Sequence, residues 1–305
     1  MGLREQQAQM RELAKLQQAQ VNIQANAQAQ MPSITQSAVA IALEQDVEKI
    51  RSFSAFADRN SYKRNHFLPS WLPFVEQHFK DGRTDQNDVI GYCLVYLLDL
   101  GDFDQAFNLA QKAIENGQKL PERFGSSIPT FVAKHMLDWT IHTTAMGNFV
   151  EPYFSQTLEN VATAWQLNEV LTALWFKQAA IQLLKNATGK AHAASVFDPE
   201  RLTLAIKLLR KAFYLNHKSG VINLINRCFM RLNALLDSLE KAGIDTTYLM
   251  NPAQEAALAE NNPEIDIKQV IVLLNRPPLS LKDVIKQIQV QQSIQVQGVD
   301  YVQRT

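Results

Sequence analysis

Two short breaks, Leu100-Gly101-Asp102-Phe103 and Met146-Gly147-Asn148-Phe149, constrain the fold of this chain more than any other feature. Each sets a glycine between stretches whose apolar residues recur every three or four positions. Glycine takes the left-handed conformation that closes a helix at little cost. A chain cut in this way folds as helices that double back on one another. The aromatic that ends each motif is placed to pack between the two helices. Around the first break runs Phe67–Phe124, which joins the Trp-Pro block Phe67-Leu68-Pro69-Ser70-Trp71-Leu72-Pro73-Phe74 to the Gly101 turn.

The same spacing predicts helices along most of the chain. Leu43, Val47, Ile50, Phe53 and Ala57 mark one, which Pro69 and Pro73 are expected to stop, framing Trp71 and Phe74. Asp88–Leu98 and Asp102–Asn116 flank the first break. Val161–Leu184 reads as one long helix, followed by Leu202–Leu215 and Leu224–Leu239. No alternating strand pattern stands out before Gly243, so the fold is predicted to be all-α, a bundle of helical hairpins. Leu-Gly-x-Phe-x-x-Ala is the hairpin pattern of tetratricopeptide-like repeats, but the irregular spacing of the breaks excludes a regular array.

Composition shifts mark four segments. Residues 1–37, rich in Gln and Ala, read as a flexible arm. Residues 38–80 hold a basic helix and the Trp-Pro block, and 81–243 the helical-hairpin core, predicted to mediate oligomerisation. Residues 244–305 read as a peripheral, partner-docking tail punctuated by Asn251-Pro252, Asn262-Pro263 and Pro277-Pro278. Within it Leu279–Val290 suits a short amphipathic helix, although Ile288, Val290, Ile294 and Val296 alternate with Gln as a strand would.

Thirty basic and thirty acidic side chains in 305 residues exclude a bulk polycation, though not a local basic patch. Cys93 and Cys228 lie in apolar stretches and read as buried, reduced thiols. With no apolar run of spanning length and no signal-peptide pattern, the expectation is a soluble, cytoplasmic protein with no membrane partner. Gly189-Lys190-Ala191 lacks the remainder of a phosphate-binding loop, and no nucleophile elbow or metal-ligand spacing of histidines occurs. No cofactor is expected.

Three sets of residues carry the candidate chemistry. Lys49, Arg51, Arg59, Lys63 and Arg64 can face phosphates from a helix whose apolar stripe turns inward, and they are the predicted DNA-binding residues. Asp99, Asp102 and Asp104 could hold a divalent cation for nuclease chemistry, but Asp102 also stands where a helix needs an N-cap. Asp266-Ile267-Lys268 is a shorter version of the same thought. Lys207, Arg210, Lys211, Lys218, Arg227 and Arg231 read as the polar face of a packed helix pair. The four tryptophans, Trp71, Trp139, Trp165 and Trp175, read as core.

From Lys63 to about Met136 the chain resembles the small terminase subunit family of temperate, contractile-tailed phages that package DNA from cohesive ends, often described as the endonuclease subunit. The resemblance rests on Lys63-Arg64 before the Trp-Pro block, on Gln86-Asn87-Asp88-Val89, on Leu98-Asp99-Leu100-Gly101-Asp102 with Ala106 and Ala110, and on Leu120-Pro121 with Pro129. A later segment, Leu208–Val221, follows the same order. The resemblance implies a subunit without catalysis of its own. It would recognise the cohesive-end site of double-stranded viral DNA, form a homo-oligomer such as a ring, and hand DNA to a large subunit that carries the ATPase and nuclease, in the host cytoplasm. The Gln/Val-rich C-terminus departs from the basic tail of that family, which moves the implied DNA contact to the N-terminal basic helix. Two other readings follow from the residues: a metal-dependent endonuclease, and a helical scaffold that binds only protein.

Overall fold

A computed structural model describes residues 38–185, 191–247 and 249–290. The arm 1–37, Tyr248, Gly189-Lys190 and the tail positions Ile294 and Val296 lie outside these residues. Helices make up the fold, and among the described residues there is no strand beyond one isolated bridge, Lys185 with Ala191. The chain divides into two compact units, one ending at Pro121 and one beginning at Glu122.

The first unit opens with α1 (residues 38–52), which buries Leu43, Val47 and Ile50 as its spacing predicts. Helix α2 (Phe56–Tyr62), a π turn (Lys63–Phe67) and α3 (Leu68–Lys80) then run on without a stop. The prolines therefore do not end the helix as expected. Pro69 sits in the first turn of α3, where a missing N–H costs nothing. The π turn precedes it, with the Leu68 N–H donating to the Lys63 carbonyl five residues back. Such a turn takes up an extra residue and loosens the carbonyl ladder into which the proline rings must fit. Pro73 lies inside α3.

Helices α4 (Asp88–Leu100) and α5 (Phe103–Glu115) form the hairpin that the Gly101 break predicts. Gly101 has φ +76°, the Asp102 N–H reaches the Leu97 carbonyl at 3.0 Å and the Gly101 N–H reaches Leu98 at 3.1 Å. Phe103 is buried behind the turn, and Asp102 caps α5 by accepting from the Gln105 N–H. Gly91, inside α4, faces Leu120-Pro121. A Cβ there would stand 2.4 Å from Pro121 Cδ, so only glycine permits this approach.

The second unit holds α6 (Ile128–Ala145), α7 (Tyr153–Thr163), α8 (Glu169–Leu183), α9 (Pro199–Leu215), α10 (Ile222–Lys241), α11 (Pro252–Ala259), α12 (Ile267–Asn275) and α13 (residues 281–290). Its centre is Trp175, fully buried, stacked on Phe154 at 5.4 Å and donating through Nε1 to the Ala133 carbonyl at 3.1 Å. One indole thus ties α8 to both α6 and α7. Trp71 is also buried, whereas Trp139 and Trp165 are half-buried.

Three expectations need correction here. The predicted helix Val161–Leu184 is two helices, because Asn168 caps α8 by accepting from the Leu171 N–H at 2.8 Å. The Gly147 turn closes α6 with the same backbone bonds as Gly101, but its aromatic does not pack between helices. Phe149 is 94% exposed and Val150 is buried in its place. The tetratricopeptide-like geometry is therefore not reproduced at this turn. Finally, α12 is no peripheral segment: it packs on α7 and α8 and buries Val270 and Leu273. Helix α13 is helical through Val290, with Val284 and Ile288 buried, so the strand alternative fails over that stretch.

Candidate nucleic-acid interface

The five predicted phosphate-binding residues lie in the first unit, but the fold does not gather them on one face. Lys49 and Arg59 meet at the corner between α1 and α2. The Lys49 ammonium stands 5.3 Å from the Phe53 ring centre, and Arg59 Nε donates to the Phe53 carbonyl at 2.8 Å. The Arg59 guanidinium also lies 5.6 Å from the ring of Phe56, itself 80% exposed. Glu48 and Asp58 accompany these cations, so the corner is mixed in sign.

Arg51 lines a different feature, a groove of about 950 Å³ whose walls include Leu43, Val47, Phe74 and Tyr92. Arg83 and Asp85 share that groove and form a fork of two bonds, 3.0 and 2.8 Å. The Asp85 partner raises the Arg83 pKa above its ordinary value, and Arg83 holds the Asp85 carboxyl below its own. Arg64 is exposed at the rim of a third cleft, beside Leu68, Leu72 and Asp102.

Lys63 is elsewhere again. Its side chain is only 10% exposed, its ammonium is 2.8 Å from Asp99 Oδ2, and it lies 4.7 Å from the Tyr96 ring centre. The π turn directs it inward, so Lys63 is a brace between α2–α3 and α4. The spacing that puts it beside Arg64 in sequence places the two side chains in different surroundings.

The acidic trio is engaged in the fold as well. Asp99 holds Lys63, and Asp102 takes both the Gln105 N–H and its side-chain amide, the latter at 2.6 Å. Among the described residues no group of three or more His, Cys, Asp or Glu side chains is placed to hold a metal ion. Asp266, the other carboxylate candidate, caps α12 through the Gln269 N–H. The basic stripe of α9 and α10 behaves as read: Arg210 lies 5.5 Å from the Phe229 ring centre, and Arg231 bonds the Val196 carbonyl and covers Phe197.

Sequence reasoning missed a set of polar braces that join the recognised motifs. Gln86 donates to the Lys119 carbonyl at 2.9 Å and accepts from the Lys119 N–H at 3.0 Å. Gln118 accepts from the Asn87 N–H and donates to the Asp85 carbonyl at 2.9 Å. Asn87 caps α4 through Val89 and donates to His78 Nδ1 at 3.2 Å. Gln86-Asn87-Asp88-Val89 and Leu120-Pro121 are thus two sides of one clasp. Lys63-Arg64 and Leu98-Asp99 are joined in the same way through the Lys63–Asp99 pair. Asp46 adds a third tie, accepting from Tyr62 Oη at 2.9 Å and Trp71 Nε1 at 2.8 Å, which holds α1 against α2 and α3.

The stretch that holds these braces falls within a match to a known family. A model of the phage small terminase subunit matches residues 40–170. The chain is 44% identical over 279 residues to the "Probable terminase, endonuclease subunit" of Haemophilus phage HP1, covering 92% of this chain and 97% of that protein. The chain belongs to the phage small terminase subunit family. A more distant member, the "Terminase, endonuclease subunit" of Escherichia phage P2, is 28% identical over 113 residues, 37% of this chain and 46% of its own. No solved structure matches. Within this chain the segments that carried the resemblance are largely those whose braces close the first unit. No helix of the described residues is long and apolar enough to cross a membrane.

Proposed function

We propose that this terminase subunit recognises the cohesive-end site of viral DNA, assembles as a homo-oligomer, and delivers DNA to a large subunit that carries the ATPase and nuclease. Family membership over nearly the whole chain is the observation that carries this reading. Lys49, Arg51, Arg59 and Arg64 contact phosphates, each weakly, and the oligomer multiplies these contacts through avidity. Lys63 serves the same end indirectly by fixing the helix that bears its neighbours. The relatives' printed names speak of an endonuclease subunit. We infer that the word describes the complex, since Asp102 caps a helix and Asp99 braces Lys63.

The test is the affinity of the chain for a cohesive-end duplex, read by fluorescence anisotropy across a salt series, with light scattering for the mass. Affinity should fall steeply with salt, by about 0.9 log units per tenfold salt for each phosphate neutralised. Lys49→Glu with Arg59→Glu should weaken binding and flatten that slope, whereas Lys63→Met should leave the slope unchanged and lower the melting temperature. A wild-type chain that ignores duplex at low salt would sink the recognition role. Magnesium-dependent cutting by the isolated chain, lost in Asp102→Asn, would move the chemistry into this subunit.

A further inference from the structure

The second unit contains a cavity of about 570 Å³ between the α6–α7 loop, the end of α8, the start of α9 and the chain after α12. None of its lining residues is among those assigned above to DNA. Three cationic side chains line it, Lys185, Arg201 and Arg276, against two carboxylates, Glu151 and Asp198.

Both carboxylates have partners. Glu151 Oε2 accepts the Ser155 N–H at 3.1 Å. Asp198, buried, caps α9 through the Glu200 and Arg201 N–H groups and accepts from Arg276 at 2.5 Å. The cations are less well provided. Lys185, half-buried, has no hydrogen-bonding or acidic partner among the described residues, and burial pulls its pKa below the ordinary value. Arg201 Nε is 3.7 Å from Asp198 without a hydrogen bond, and Arg276 Nε and the amide nitrogen of the buried Gln182 have no partner among the described residues. Buried donors without acceptors are costly and are uncommon unless something else completes them. Glu200 also pairs with Arg276, so Lys185 is the cation here without a contacting carboxylate among the described residues, while Gln182, Arg201 and Arg276 each leave a donor nitrogen unpaired.

We propose that this cavity binds a phosphate monoester of about nucleotide size. Phosphate supplies acceptor oxygens for these unpaired nitrogens and a negative charge beside Lys185. The volume lies within the range of small-ligand sites, well above what a bare ion fills. Phe149, Phe197 and Leu279 supply apolar surface for the organic part, and Phe149 is 94% exposed at the rim. The phosphate comes either from a free nucleotide or from the end of a DNA strand, and the second source alone rests on the DNA-recognition reading above.

The experiment titrates the full chain, at matched ionic strength, with deoxyadenosine monophosphate and with deoxyadenosine, by calorimetry. Saturable binding of the monophosphate and none of the nucleoside is expected. Lys185→Met should weaken it about tenfold or more, while raising the melting temperature of the free protein, because it removes a half-buried unpaired charge. Gln182→Leu should also weaken binding and serves if the first variant fails to fold. A parallel arm compares duplexes with 5′-phosphate and 5′-hydroxyl ends; a preference for the phosphorylated end that Lys185→Met abolishes assigns the source to DNA. If duplex binds with no end preference while the monophosphate still binds, the ligand is a free nucleotide. Equal binding of nucleotide and nucleoside, no binding of either, or binding unchanged in both variants would overturn the proposal.

Discussion

The two units are held together by different physics. In the first, separate polar pairs tie the segments, among them the exposed Gln86 with Lys119, the buried Gln118 with Asp85, and Lys63 with Asp99. In the second, a buried guanidinium does that work. Arg201, 4% exposed, donates to the carbonyls of Leu273 and Arg276 at the end of α12 and to that of Leu183 at 3.5 Å, at the end of α8. Arg276 completes the set by reaching Asp198 and Glu200. Separate braces can be lost one at a time, and at an exposed one such as Gln86 water replaces the missing partner. A buried charge has no such substitute, and its removal strands several carbonyls and a carboxylate together.

The largest effect should therefore come from Arg201. Arg201→Met should destabilise the second unit by about 3–5 kcal/mol, seen as a fall in the denaturant midpoint, with α12 released first in hydrogen exchange. If the two units have separate transitions, only one should move. A loss below about 1 kcal/mol would show that the buried network contributes little net stability.

Gly91→Ala comes next, and it strikes the first unit. The added methyl meets Pro121 Cδ. Overpacking costs about 1–3 kcal/mol, set against roughly 1 kcal/mol gained from helix propensity. A net loss of about 1 kcal/mol in the first unit's transition is expected. An unchanged or raised midpoint would mean that the 118–121 segment yields easily.

The smallest effect concerns His78, buried between α3 and the α4 cap. Burial, with Arg83 adding to it and Asp85 and Asp81 opposing, sets its pKa below the ordinary 6.5. The unfolded chain thus takes up the proton first as pH falls. Stability of the first unit is full above pH 6.5 and declines as pH drops through 6.5 towards the lower folded value. Thermal melts at pH 7.5 and 5.5 should show this decline, and His78→Gln should reduce it. An equal decline in the variant would assign it to other groups.

Much of the fold was legible, and the misreadings have physical causes. Gly101 and Asp102 announced their turn because a left-handed residue followed by a carboxylate satisfies both helix ends. The Gly147 motif has the same letters, but burial depends on what the following loop packs against, and there Val150 wins over Phe149. Asn168-Glu169 carried a capping signal inside an apolar pattern that runs across it, so two helices read as one. Pro69 misled because proline breaks a helix only where the neighbouring carbonyls cannot adjust, and the upstream π turn was not visible in the letters; nothing in the structure explains how α3 accommodates Pro73. The candidate site was less legible. Charges at 49, 51, 59, 63 and 64 look alike in a sequence, yet one extra residue in the π turn sends Lys63 inward. Arg201 had a signal that went unused: it shares a helical face with Ala205, Leu208 and Ala212, all buried.

The Asp46 tie gives the molecule an optical reporter of its own. Trp71 donates its indole N–H to Asp46 and is 9% exposed. Indole emission shifts with polarity and with the loss of a carboxylate partner. Fluorescence from a chain retaining only this tryptophan would therefore report, without any label, whether α1 stays seated when the subunit engages its partner.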